Sequence, residues 1–401
     1  MKILYISYDG ITDPLGQSQI LPYILELKKK GHDFHIISAE KPESLQQEKI
    51  KFLKFFDERG IKWHPLSYHK KPPIVSTVYD MLSIYFSAKD IVCKERIQLV
   101  HCRSYLPGLV GLRLKKKMGV KFLFDMRGFW ADERIDGGIW NPGNPIYKFI
   151  YSYFKRAEIK LLENADHVVS LTNSGKKEIL SGNLTNTKLN IDSSMISIIP
   201  CAVDLDLFDK SKVSLEEKEK LINRIGLPRQ VTDILVYLGS IGTWYLLDEM
   251  LMYFKKFRKE KPRSIFLFIT KDDPDRINER VKEMDVSQKD IKIVSSNREM
   301  VPTYLSLGTQ GVFFIKPAYS KKASSATKMA EMLAMGLPII TNIETGDINM
   351  MKSESVDEVA FDTINVVRIA PDSNNESLED YKLSNAVLKY NEVYRKCISA
   401  K

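Results

Sequence analysis

The chain has 401 residues, of which 44% are hydrophobic and 28% charged; this is a soluble globular composition, and the length is too great for one core, so about two domains are expected. No run of eighteen apolar residues occurs, which excludes a membrane-spanning helix. A net charge of +9 calls for an anionic partner, and with no recognisable nucleic-acid motif, nucleic acid is disfavoured against a nucleotide-sugar or an acidic membrane surface.

Lys2 to Ser7 predicts a buried strand of the parallel type. Its apolar run is too short for a signal peptide and lacks a small-residue cleavage site. The four cysteines, Cys93, Cys102, Cys201 and Cys397, show no paired or metal-ligand spacing, so a cytoplasmic location is expected. A loop over 8–18 contains Asp9-Gly10 and Pro14-Leu15-Gly16-Gln17-Ser18. Ile20, Tyr23, Ile24 and Leu27 then recur at i, i+3, i+4, i+7, a helical core stripe that Gly31 ends. Asp33 to Ser38 reads as the next strand. This βαβ opening lacks G-x-G-x-x-G, which disfavours a nicotinamide enzyme.

Residues 49–60 read as a helix and 62–67 as a strand. The strand at 99–104 ends in an ionisable cluster with His101 and Arg103, and a helix over 109–118 closes at Gly119. The strand at 121–124 runs into Asp125-Met126-Arg127-Gly128-Phe129-Trp130-Ala131-Asp132-Glu133-Arg134. Ligands of open α/β sheets bind beyond the carboxyl ends of strands, so both clusters are well placed. So many charges in one loop more often face a polar ligand than pair only with each other; His101 alone also reads as a satisfied core histidine. A long helix over 146–163 is expected to bury Ile146, Phe149, Ile150, Tyr153, Phe154, Ala157 and Leu161. A strand over 166–171 follows, with Thr172-Asn173-Ser174 capping the next helix, and residues 195–199 enter Pro200-Cys201-Ala202-Val203-Asp204.

In the second half, a strand over 233–238 leads through Gly239-Ser240-Ile241-Gly242 into a helix over 247–258. Glycines between a strand and a helix start let backbone N–H groups approach a phosphate. The basic run Lys255 to Lys261 reads as a solvated helix end, or, with Arg113, Lys115, Lys116 and Lys117, as a dock for anionic lipid. Asp273-Pro274-Asp275 has metal-chelating Asp-x-Asp spacing but reads as a solvated turn. Strands are expected at 265–270, 292–295 and 311–315, and Asn297-Arg298-Glu299-Met300-Val301 marks a strand end and helix start.

The richest stretch is Ser324-Ser325-Ala326-Thr327-Lys328-Met329-Ala330-Glu331, continuing to Gly336-Leu337-Pro338. Ser and Thr hydroxyls are expected to cap a helix whose free N–H groups form an anion site. Lys328 and Glu331 fall on one face, a diphosphate cradle beside a carboxylate suited to neighbouring ribose hydroxyls. Both are expected on the helix surface. Gly336 provides the positive φ that ends the helix, Pro338 prevents continuation, and Ile339-Ile340 starts a strand. A terminal helix is expected over 378–398.

This stretch resembles the donor-site motif of the retaining glycosyltransferases of family 4, Lys-x-x-Glu-x-(x)-Ala-x-Gly-x-Pro, matched by Lys328, Glu331, Ala334, Gly336 and Pro338. The chain departs from that pattern at Ala323, where many members carry a glutamate. Cys201-Ala202 also replaces Asn-Gly in the hinge element, and no arginine follows the glycine turn.

The resemblance implies an α/β fold of the GT-B kind, two Rossmann-like doubly wound domains facing a central cleft. Residues 1–200 would bind the acceptor and 201–376 the nucleotide-sugar, with 377–401 crossing back as a terminal helix. It implies donor contacts from Gly16, Gly239, Ser240, Gly242, Arg298, Val301, Ser325, Thr327, Lys328 and Glu331. Acceptor contacts would come from Gln17, Arg103, Arg127, Asp132 and Glu133, and chemistry from Lys328, His101 and Asp125. No metal or other cofactor is implied. The expected reaction moves a sugar from a nucleotide-sugar, UDP-linked by analogy, to a saccharide or lipid-linked saccharide in polysaccharide biosynthesis of the bacterial type, at the inner face of the cell membrane. A silent binding subunit, an epimerase and a phosphorylase of the same fold are the alternatives.

Overall fold

Continuous apolar runs, rather than alternating ones, make strands that need cover on both faces. In the computed structural model, which describes residues 1–355, 361, 364–371 and 376–399, two such sheets form, each in its own unit: Met1–Pro200 with Leu383–Lys401, and Cys201–Lys382.

The first sheet comprises β1 (Lys2–Ser7), β2 (Asp33–Glu40), β3 (Lys62–Ser67), β4 (Leu99–Arg103), β5 (Lys121–Asp125), β6 (His167–Ser170) and β7 (Ile196–Ile198). Its order is β3-β2-β1-β4-β5-β6-β7, and every pairing is parallel. The helices are α1 (Pro14–Gln19), α2 (Leu21–Lys29), α3 (Pro42–Asp57), α4 (Val75–Glu95), α5 (Tyr105–Met118), α6 (Trp130–Asp136), α7 (Pro145–Asn164) and α8 (Asn173–Ser181). Right-handed crossovers put α2 and α3 on one face and α4, α5 and α7 on the other; α5 packs against both α4 and α7. The strand order reverses between β1 and β4, so the loops after these strands meet at the switch point where such sheets bind ligands.

The second sheet comprises β8 (Asp233–Leu238), β9 (Ser264–Ile269), β10 (Ile291–Val294), β11 (Gln310–Val312), β12 (Ile339–Asn342), β13 (Glu354–Ser355) and β14 (Val366–Ile369), ordered β10-β9-β8-β11-β12-β14-β13. β14 pairs antiparallel with both β12 and β13. Its helices are α9 (Leu215–Ile225), α10 (Leu247–Glu260), α11 (Pro274–Glu283), α12 (Val301–Leu305) and α13 (Thr327–Ala334). The second switch point lies between β8 and β11. The chain returns to the first unit as α14 (Leu383–Ser399), which packs on α2 and on β4, β5 and β6. A 3-10 turn, Glu376–Tyr381, takes up the start of the expected terminal helix, and residues 400–401 lie outside the described residues.

One helix lies outside the sequence expectations and one expectation needs correction. The 21-residue α4 buries Ile84, Ala88, Ile91 and Val92 at helical spacing, but toward its start Ser76 and Asp80 are buried while Val75, Val78, Tyr79, Leu82 and Phe86 face outward. Asp80 is satisfied inside, accepting from Tyr8 Oη at 2.8 Å and from the His69 backbone N–H at 3.0 Å. In α7, Phe154, Ala157 and Leu161 are core as expected, but Ile146, Phe149 and Tyr153 are exposed. Among the described residues no helix is long and apolar enough to cross a membrane.

Candidate functional site

In the second unit the two motifs flanking the switch point converge on one amine. Lys328 enters in the first turn of α13 and is only 8% exposed. Its Nζ donates to Tyr237 Oη at 2.9 Å and sits 3.5 Å from the centre of the Tyr245 ring and 4.1 Å from that of Tyr237. Burial pushes the Lys328 ammonium well below the ordinary lysine range, opposed by the charges of Glu331 and Asp272. Gly239, at φ +101°, passes so close that a Cβ there would lie 3.3 Å from Nζ. The glycine turn therefore makes room for Lys328.

The turn itself is held by a residue that sequence reasoning missed. Asp272, just past β9, accepts from Ser240 Oγ at 2.9 Å and from the Ile241 backbone N–H at 2.6 Å. One of the amides expected at a phosphate, and the Ser240 hydroxyl, are thus engaged by a resident carboxylate. Asp272 is 32 residues from Ser240, and only the parallel β8–β9 pairing brings them together. Arg276, on α11, reaches the Gly242 carbonyl at 3.4 Å, which places an arginine beside the turn that lacks one in its own sequence.

Glu331, one turn after Lys328, is 3% exposed, and its Oε1 accepts from Arg298 Nη1 at 2.5 Å. The Arg298 guanidinium also lies 4.6 Å from the Phe208 ring centre. Asn297 caps the turn that presents it, accepting from the Met300 N–H at 3.2 Å, and Val301 is buried behind it in the core. The expectation of a surface Lys328–Glu331 face is overturned: both are enclosed, because Lys328 lies on two tyrosine rings and Glu331 on an arginine.

The capping expectation is also corrected. Ala326 occupies the N-cap of α13, and among the described residues no side chain caps it. Ser325 Oγ instead accepts from the Cys201 N–H at 3.1 Å, tying the start of the second unit to the segment before the helix. Thr327 is the first helical residue. Gly336 has φ +74°, as expected of the helix end. Asp273 caps α11 by accepting from the Asp275 N–H at 3.0 Å, with Pro274 at the first helical position, so the Asp-x-Asp spacing is a helix start.

In the first unit, the ends of β4 and β5 gather His101, Arg103, Asp125 and Arg127. His101 is enclosed: Nδ1 is 2.8 Å from Tyr394 Oη, Nε2 is 3.5 Å from Asp125 Oδ2, and Tyr390 Oη donates to that same oxygen at 3.1 Å. Burial lowers the His101 pKa, outweighing the attraction of Asp125. Burial raises the Asp125 carboxyl, but Arg127, His101 and Arg103 together hold it below its usual range. Arg127 lies 4.0 Å from Asp125 Oδ1, and Arg103 Nε donates to Asp9 Oδ2 at 3.2 Å. Arg103 Nη1 is buried and has no hydrogen-bond partner among the described residues.

The other predicted acceptor residues separate from this cluster. Asp132 accepts from Tyr151 Oη at 2.8 Å and Lys155 Nζ at 2.9 Å, and Lys155 also pairs with buried Glu158 at 2.6 Å. That is the structural ion-pair network weighed as the alternative. Glu133 is half-buried beside it in α6. Gln17 donates to the Thr12 carbonyl at 3.0 Å. A Cβ on Gly16 would fall 2.1 Å from the Gly10 carbonyl oxygen, so this glycine lets α1 pack on the loop. Glu40 secures the loop by accepting from the Ile11 and Thr12 N–H groups at 2.7 and 3.1 Å.

Comparison with solved structures identifies the fold as that of GT-B glycosyltransferases, with two Rossmann-like units. A glycosyltransferase from Rickettsia africae superposes with a TM-score of 0.67 at 17% identity, covering 100% of this chain and 99% of its own. Sucrose-phosphate synthase from Thermosynechococcus elongatus gives 0.68 at 15% identity, with all of both chains covered. Anabaena HepE, solved with UDP and glucose, gives 0.61 at 10% identity, covering 100% of this chain and 92% of that one. In sequence, residues 21–207 match the model of Glycosyltransferase Family 4. Among curated proteins, none matches the chain.

Proposed function

We propose that the chain is a retaining glycosyltransferase of family 4 that moves a sugar from a UDP-sugar to a hydroxyl of a saccharide or lipid-linked saccharide, in the assembly of bacterial-type surface polysaccharide. The observation that carries this reading is the buried Lys328, stacked on Tyr237 and Tyr245 beside Gly239, with Glu331 one turn on. A lysine whose charge is disfavoured by burial gains most from an arriving anion, and it gains more as charge builds on the departing diphosphate. Lys328 supplies that charge and Glu331 takes the ribose hydroxyls. Arg298 lies beside the base, and Ser325, Thr327, Gly239, Ser240 and Gly242 shape the phosphate wall.

On the acceptor side, Arg103 and Arg127 offer buried guanidinium groups to an anionic part of the acceptor. His101 and Asp125 set their positions. Arg103 Nη1 is the donor left over for such a group, which favours an acceptor carrying phosphate. Transfer proceeds without metal, since cationic side chains and backbone do the electrostatic work.

The test is a donor-library thermal-shift screen, followed by proton NMR of the early product. Stabilisation by a UDP-sugar, a retained anomeric configuration and a rate indifferent to EDTA are expected. An inverted product, or activity lost in EDTA and restored by manganese, overturns the reading. Sugar turnover without acceptor identifies an epimerase or phosphorylase instead.

A further inference from the structure

Helix α4 is apolar on two faces. Its buried face carries Ile84, Ala88, Ile91 and Val92 after Ser76 and Asp80, while Val75, Val78, Tyr79, Leu82 and Phe86 recur at three- and four-residue spacing on the outside. Val75 is 64% exposed and Phe86 62%. Two helices along, α7 repeats the pattern with Ile146, Phe149 and Tyr153, and Phe149 is 66% exposed. Both helices, with α5 between them, cover the same face of the first sheet. Single exposed apolar residues need no explanation, but two aligned stripes on one face do.

The charges around the two stripes are predominantly of one sign; the exposed acid Asp90 lies beyond the α4 stripe and pairs with Lys94. Over residues 69–89, 105–118 and 137–160 the only acids are Asp80 and Glu158, and both are buried. The exposed charges in those segments are lysines and arginines, among them Lys70, Lys71, Arg113, Lys148 and Arg156. Arg113 lies over the Tyr85 ring at 4.4 Å, placing its cation beside the α4 stripe. Lys115, by contrast, is spent inside, 2.9 Å from Asp166. A helix joining parallel strands starts at their carboxyl edge, so the apolar residues of both helices lie toward the edge that carries Arg103 and Asp125.

We infer that this α4–α5–α7 face docks on an anionic lipid bilayer. The apolar side chains enter the interface and the flanking cations meet lipid phosphates. Apolar insertion with surrounding positive charge is the signature of interfacial binding. A second copy of the chain would bring like charges together across the same face, which argues against self-association. The surface differs from the basic run at Lys255–Lys261, which has no apolar stripe of this kind beside it.

The experiment is co-sedimentation of the full chain with phosphatidylcholine vesicles, with and without phosphatidylglycerol, in low and high salt. No donor or acceptor is present, so the result is independent of the transferase reading. Wild type is expected to bind only the anionic vesicles, and salt is expected to weaken it. The double variant L82Q/F86Q and the single F149Q should each retain the wild-type melting temperature. The double should lose about tenfold or more in partitioning. K70E/K71E should lose about fivefold per lysine. K259E, on α10, serves as the control and should bind as wild type does. Equal binding by L82Q/F86Q and wild type, or loss of binding in K259E alone, overturns the inference. So does absence of wild-type binding, or a dimer in light scattering that L82Q/F86Q dissolves.

Discussion

Glu331 and Arg298 are 33 residues apart in sequence and joined at 2.5 Å in the fold. The carboxylate proposed to take a ribose is already held by a cation, with Glu331 nearly fully enclosed and Arg298 about one-fifth exposed. The pair fixes the carboxylate before a nucleotide arrives, and a ribose then uses acceptor capacity that Arg298 has oriented.

Glu331→Ala therefore has two separable effects. Each lost charge-assisted hydrogen bond costs about 1.5–3 kcal/mol, so UDP affinity should fall by about ten- to a hundredfold in calorimetric titration. Stability should fall as well, toward the lower end of the ~3–5 kcal/mol typical of breaking an enclosed ion pair. Arg298→Ala should share the stability loss, and the double variant should lose less than the sum of the two. Unchanged affinity in Glu331→Ala sinks the donor-site assignment.

Lys328 makes a prediction with a definite sign. Its folded-state pKa is depressed by burial, whereas in the unfolded chain it is about 10.4. Between those values the unfolded chain binds more protons, so wild-type stability should rise with pH from the depressed folded-state pKa toward about 10. Lys328→Met removes that slope and should be at least as stable as wild type at neutral pH, while losing turnover. Urea midpoints across this range check it; parallel curves for the two proteins would contradict a neutral-prone buried amine.

The two glycines of the β8 turn should differ. Gly239→Ala puts a side chain at φ +101° and a Cβ 3.3 Å from Lys328 Nζ, so about 1–3 kcal/mol of strain adds to a displaced amine. Gly242, at φ +42°, would place a Cβ no closer than 3.6 Å to a described atom, Ser240 Oγ. Nucleotide affinity should drop more in Gly239→Ala than in Gly242→Ala, and the reverse order would remove the close approach from the argument.

Acid should weaken the first unit early. Burial lowers the pKa of His32, His35, His64, His101 and His167, with His35 and His167 brought to about 4. A depressed histidine binds fewer protons folded than unfolded, so its stabilisation is present above about 6.5 and lost as pH falls toward 4. Glu158, raised to about 7 by burial, opposes this. The urea midpoint should fall between these pH values, and His35→Phe should reduce the loss. A flat profile would show that the histidines are not dry.

Local sequence signals suffice for the two α/β units, most strands of their sheets and the residues clustered at the switch points. Those features are local: apolar runs, glycine at a helix end, and Lys328 and Glu331 one turn apart. Such signals misplace what depends on partners from elsewhere in the chain. Lys328 was read as a surface cation because the tyrosines that enclose it arrive from β8 and the turn after it. Asp272 was overlooked because its amide partners lie a strand away. Helix α4 escapes a single-stripe reading because apolar residues lie on its outer face as well as its inner one, and because the inner face begins with Ser76 and Asp80, the latter satisfied by Tyr8 and the backbone of His69. Periodicity registers which side chains avoid water, and where a hydrogen bond pays for burial or a second surface covers an apolar stripe, tertiary structure alone decides which face is inside.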